Sequence, residues 1–185
     1  MKIHLIIISA IISLGLLSCS NSSKIKIQVS RVDSLYFVAK ILENQAASVN
    51  IDTITSYKLY IDKTTKFILS NSKLISEDKL LSRNIIKLGN AGRVFKKFNQ
   101  NYSDLLNDIK FSKTQLKNLK EDLNNGLVKE SDFVKYYEDE KKAIEDVKKE
   151  VIKLKAKLVY NIQIYYHYKP YFEETVEKIL SHTNK

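Results

Sequence analysis

Apolar residues recur along most of this chain at steps of three and four, the repeat of one face of an α-helix. Val32, Leu35, Ala39, Leu42, Ala46 and Val49 form the first such stripe and predict a helix over about residues 30–49. Asp52 is placed to cap a second helix, which carries Ile54, Tyr57, Ile61 and Ile68 and ends near Asn71. Ser76 opens a third, with Glu77 and Asp78 in its first turn, where carboxylates complement the helix dipole. Its stripe begins Leu81, Ile85, Leu88, and Gly89-Asn90 and Gly92 inside it are expected to kink or break it. From Phe95 through Phe98, Tyr102, Leu105, Ile109, Leu116 and Leu119 to Leu123 the stripe becomes a heptad seam with one position skipped.

Asn124-Asn125-Gly126 is the stop signal. Gly126 suits the left-handed position after a helix, and Leu127 is expected to make the apolar contact that accompanies it. Ser131 is the expected cap of the next helix, with Asp132 in its first turn and a seam of Phe133, Tyr137, Ile144, Val147, Val151, Leu154, Leu158 and Tyr165. Two heptad helices joined by a short loop form an antiparallel hairpin. At 1.5 Å per residue each arm reaches roughly 40–55 Å. Pro170, the only proline, is expected to start or kink a last segment bearing Phe172, Val176 and Ile179. Strand-rich domains need frequent glycine and proline punctuation, and four glycines with one proline are too few. The expected fold class is all-α: an elongated helical bundle built on a long antiparallel coiled-coil-like hairpin.

One stretch departs from this patterning. Lys2 is followed by an apolar run from Leu5 to Leu17, then Ser18 and Cys19, the only cysteine of the chain. The run is shorter than the roughly 20 apolar residues that span a bilayer and has the plan of an export leader. Leu16-Leu17-Ser18-Cys19 resembles the lipobox of bacterial lipoproteins. The resemblance implies removal of residues 1–18 as a signal peptide, thioether diacylation of Cys19, and often acylation of its new amino group. Residues 19–28 then form the lipidated N-terminus and a flexible tether, and residues 29–185 a single helical-bundle domain. Ser20 follows the cysteine where enterobacterial lipoproteins retained at the inner membrane carry Asp, so the resemblance implies the outer membrane. Ser-Asn-Ser-Ser-Lys lacks the acidic residues of the Bacteroidota surface-export signal, which favours the periplasmic face over the surface. Asp122-Leu123, Tyr136-Tyr137-x-x-Glu140 and Tyr168-x-Pro170 make the later part similar to helical lipoproteins of Bacteroidota, a likeness that implies no activity.

The formal charge is +10, and loss of Lys2 with the leader would lower it by one. An exported, lipid-anchored chain without a helix-turn-helix, RNA-recognition or zinc-finger signature is not expected to bind nucleic acid. The charges are mixed, with Lys141-Lys142 beside Glu138-Asp139-Glu140 and Lys148-Lys149 beside Glu145-Asp146, as on solvated helix faces.

Motifs that carry chemistry are scarce. Ser70-x-x-Lys73 and Ser76-x-x-Lys79 both match the serine–lysine core of penicillin-binding proteins, but neither has its Lys-Thr-Gly or Ser-Asp-Asn companion. His167 and His182 are too far apart for a local metal motif, and Cys19 is committed to lipid, so no metal or cofactor is nominated. Glu140 and Asn161 fall on the α-helical seam, as ligands in a bundle core or, on the plainer reading, as polar groups that set register. One cluster stands out. Tyr160, Tyr165, Tyr166, His167, Tyr168, Tyr171 and Phe172 crowd into thirteen residues with Lys169 and Pro170. At about 100° per residue these rings cannot share one buried stripe. Tyr166, His167, Lys169 and Tyr171 are therefore the candidate contact site, the alternative being that the rings close one end of the bundle. The expected function is a lipid-anchored, non-enzymatic envelope protein that binds or scaffolds a protein partner. A small-ligand or lipid-binding bundle, or a surface-exposed adhesin that binds a host factor, are the alternatives.

Overall fold

A computed structural model describes the backbone of residues 2–71 and 79–183, and the side chains of residues 22–71 and 79–182. Four helices account for it: α1 Lys2–Ala47, α2 Ile51–Ser70, α3 Lys79–Asn124 and α4 Glu130–Thr183. The fold is an all-α helical bundle, and among the described residues there is no strand. Cys19, Ser76, Glu77, Asp78 and Lys73 lie outside the residues whose side chains are described. Residues 22–28, which the leader reading places in a tether, are helical. Ile25 within it and Val29 just after it are half-buried and carry the stripe of Val32 two turns further back. Among the described residues, no helix is long and apolar enough to cross a membrane.

The helix ends follow local chemistry. Asn50, not Asp52, caps α2: its Oδ1 accepts the Thr53 N–H at 3.0 Å, and Asp52 takes a first-turn position beside it. At the end of α3 the Leu127 N–H reaches the Asp122 carbonyl at 2.9 Å and the Gly126 N–H reaches Leu123 at 3.1 Å. With Gly126 at φ +69° this is a Schellman cap. Leu127 is 71% exposed, so the cap stands on its hydrogen bonds and not on the expected apolar contact. α4 starts one residue before the expected Ser131 cap. The Phe133 N–H bonds the Lys129 carbonyl at 3.0 Å, and Ser131 Oγ donates instead to Asp132 Oδ1. This start places Glu130 as well as Asp132 in the first turn.

The chain divides into two compact units: Met1–Asn44 with Asp108–Val147, and Gln45–Asn107 with Lys148–Lys185. In the first unit Ile109, Leu116, Leu119, Leu123, Phe133, Ile144, Val147, Val32, Ala39 and Leu42 are buried. The position skipped in the α3 seam is Ser112, buried among them. Lys120 Nζ donates to Asp33 at 2.7 Å, Lys113 Nζ to Glu43 at 2.6 Å and Lys24 Nζ to Glu130 at 3.2 Å. The Arg31 guanidinium lies 4.0 Å from the centre of the Tyr137 ring. The exposed pairs Lys120–Asp33 and Lys24–Glu130 contribute about 0–1 kcal/mol each, so the charges orient α1 while the apolar seam holds it. Glu140 is half-buried on this seam, and burial first, then the nearby Asp139 charge, pushes its carboxyl above the usual range.

In the second unit one apolar cluster joins Ile54, Ile61 and Ile68 of α2 with Leu88, Phe95 and Phe98 of α3 and Leu158, Tyr165, Phe172 and Ile179 of α4. The expected breaks at Gly89-Asn90 and Gly92 do not occur, and α3 is continuous. Gly92 serves close approach instead: a Cβ there would meet Ile61 Cγ2 at 3.0 Å. Pro170 likewise lies inside the continuous α4. It forgoes one backbone hydrogen bond, but Phe172 beyond it keeps the seven-residue step from Tyr165 and is fully buried. Packing of that ring holds the helix through the proline.

Candidate functional site

Helical geometry decides what the tyrosine cluster can do. On α4 the members of the cluster point to different sides of the helix, and the structure does not bring the four candidate residues together. Tyr166 and Lys169 face α2. Tyr166 shares a 2.6 Å hydroxyl–hydroxyl hydrogen bond with Tyr57, and its ring meets the Tyr57 ring edge-on at 5.6 Å. Lys169 Nζ lies 5.8 Å from the centre of the Tyr60 ring and 3.3 Å from Glu173. His167 and Tyr171 face the groove between α3 and α4. His167 packs at 4.7 Å against Tyr168 and lines one pocket; Tyr171 lines another with Leu80, Leu81 and Ile179.

The α2 side is an aromatic joint. Tyr57 stacks on Tyr165 at 4.3 Å and contacts Phe95 at 6.0 Å, and Tyr60 meets Tyr165 edge-on at 5.5 Å. Rings in these arrangements contribute about 0.5–1.5 kcal/mol per pair beyond burial. The hydroxyls are held neutral. The hydrogen bond to Tyr166, then burial, pushes Tyr57 up to about 12. Burial, then the Tyr60 and Tyr166 neighbours, pushes Tyr165 up to about 12. Burial also raises Tyr60. These pKa values lie above that of an unfolded tyrosine near 10. Their stabilising contribution is therefore complete below about pH 10 and is lost as pH rises toward about 12. Tyrosinate absorbance should show a group of tyrosines titrating late, with unfolding in the same window, and Tyr57→Phe should remove part of the late step. Titration of every tyrosine near pH 10 without unfolding would contradict the joint.

The groove side is open and mixes polar groups with apolar surface. Lys87 and Asn90 of α3 face Tyr160, Asn161, Gln163, Ile164, His167 and Tyr168 of α4 across a space of about 580 Å³. Lys87 Nζ lies 5.6 Å from the centre of the Tyr168 ring. Asn161 is buried, and its Nδ2 donates to the Lys157 carbonyl of its own helix at 2.8 Å. Tyr160 stands 63% exposed at the groove. The sequence reading did not nominate Tyr57, Tyr60, Lys87 or Asn90. Tyr57 was legible only as a member of the α2 stripe, because nothing local says which helix will meet it. Ser70 Oγ donates to the Phe67 carbonyl, the ordinary back-bond of a helix end, at 2.8 Å. No known protein family, curated protein or solved structure matches the chain.

Proposed function

We propose that this chain is a non-enzymatic binding or scaffold module for a protein partner, held at the bacterial cell envelope by lipid on Cys19. The observation that carries the reading is Tyr160, an exposed ring at the mouth of the α3/α4 groove, with Tyr168 and His167 beside it. Tyrosine is the residue type that joins a large apolar face to a hydrogen-bonding tip, and it is enriched where proteins meet. The anchor rests on the lipobox, and its outer-membrane, periplasm-facing placement rests on the residues after Cys19. The groove volume also falls within the roughly 300–1,000 Å³ of small-ligand sites, so a co-purifying mass in native mass spectrometry would transfer the site to a small molecule. The direct test places a photocrosslinking residue at Tyr160 in cells that make the full chain. A discrete protein adduct at position 160, and none at the exposed Lys66 of α2, is expected. The same smear of products at both positions would count against a specific partner.

A further inference from the structure

We propose that the α3/α4 groove of the second unit receives an acidic amphipathic α-helix of the partner, an inference that rests on the scaffold reading above. The groove repeats with the helix. Leu80, Lys87, Val94 and Asn101 line it from α3, and Glu150, Lys157, Ile164, Tyr171 and Lys178 from α4, each set at steps of seven residues. As the α3 numbers fall the α4 numbers rise, so the two antiparallel helices present one continuous side. Three pockets of about 230, 580 and 310 Å³ follow one another along it. The α3 rim from 80 to 101 is roughly 30 Å long at 1.5 Å per residue, the length of about three heptads. α2 occupies the other side of the pair, where Ile61 meets Gly92 and Tyr57 meets Tyr166. Seven-residue spacing, apolar points at Val94, Leu154 and Ile164, and this length describe the helix-in-groove mode of recognition.

Charge selects the occupant. Five lysines reach the groove: Lys87, Lys97, Lys153, Lys157 and Lys178. Its two carboxylates are already paired, Glu150 with Lys153 at 3.5 Å and Glu174 with Lys178 at 2.6 Å. Lys87, Lys97 and Lys157 have no carboxylate partner among the described residues. A helix with apolar residues on one stripe and glutamates flanking it supplies both complements. A second copy of this chain, at +10, brings like charge to the same rim.

The probe is a labelled synthetic helix of about three heptads, with Leu at the seam and Glu on both flanks, followed by fluorescence anisotropy against the full chain. A twin peptide with Lys in place of Glu should bind at least about tenfold more weakly. Lys97→Glu with Lys157→Glu should weaken the acidic helix by about tenfold or more. The equal charge change at Lys63→Glu with Lys66→Glu, exposed on α2, should leave it nearly unchanged. Equal binding of both peptides, no binding, or equal losses in the two double variants would overturn the proposal. So would anionic phosphatidylglycerol vesicles that bind through Lys97 and Lys157 while the peptide does not. If the peptide fails while the Tyr160 adduct persists, the groove assignment falls and the scaffold reading stands.

Discussion

Phe172→Ala should destabilise the second unit by about 3–5 kcal/mol, the loss typical when a fully buried aromatic ring is truncated. Phe172 has no exposed surface and lies in the cluster with Ile68, Leu81, Leu88 and Ile179. It also stands two residues beyond Pro170, where the backbone ladder is one bond short. Losing the ring therefore removes packing just beyond the point where the ladder of α4 is interrupted. Chemical denaturation followed by circular dichroism should show the loss as a lower midpoint. Tyr171→Ala, one residue earlier and half-buried, should cost clearly less. Equal costs for the two substitutions would mean that α4 does not hold its seven-residue step past Pro170.

Cys19→Ala should release the chain from the membrane. Only cysteine offers the thiol that carries the diacylglycerol, and the chain has one cysteine. Acyl chains contribute about 0.8 kcal/mol per buried methylene, and two chains anchor stably where one is marginal. The wild type should partition with membranes and show the mass of an acylated chain beginning at residue 19, whereas the variant should lose both the acyl mass and the partition. A wild-type chain without acyl mass, or a variant that partitions unchanged, would refute the lipobox reading. Helical content of residues 79–183 should be the same in both, since their packing makes no use of the lipid.

The candidate contact site changes meaning once its neighbours are known. Truncating Tyr166 and Tyr171 together looks, from sequence, like a clean removal of surface rings. Tyr166 is 56% exposed, yet its hydroxyl and ring edge are engaged by Tyr57. The double truncation therefore damages the aromatic joint and a pocket on another side of α4 at once, and Tyr160 is the better reporter of partner contact.

What the sequence determined by itself was the helical character and the register. Steps of three, four and seven placed Phe95, Ile109, Leu116, Val151, Leu158 and Phe172 on buried stripes, and the structure buries all of them. Gly126 announced the end of α3 because a left-handed residue after a helix is a local requirement. These signals are legible because they depend on neighbours within a turn or two. The tertiary structure decided the rest. Gly92 reads as a break until Ile61 is seen resting against it, and Pro170 reads as a helix start until α4 is seen to run through it with Phe172 buried beyond. The boundary between the two units falls inside three helices, where no loop or composition shift marks it. Which tyrosines are joint and which are surface depended on where α2 lies. That is set by the summed burial of residues more than a hundred positions apart, such as Tyr57 and Tyr166, and no local pattern encodes it.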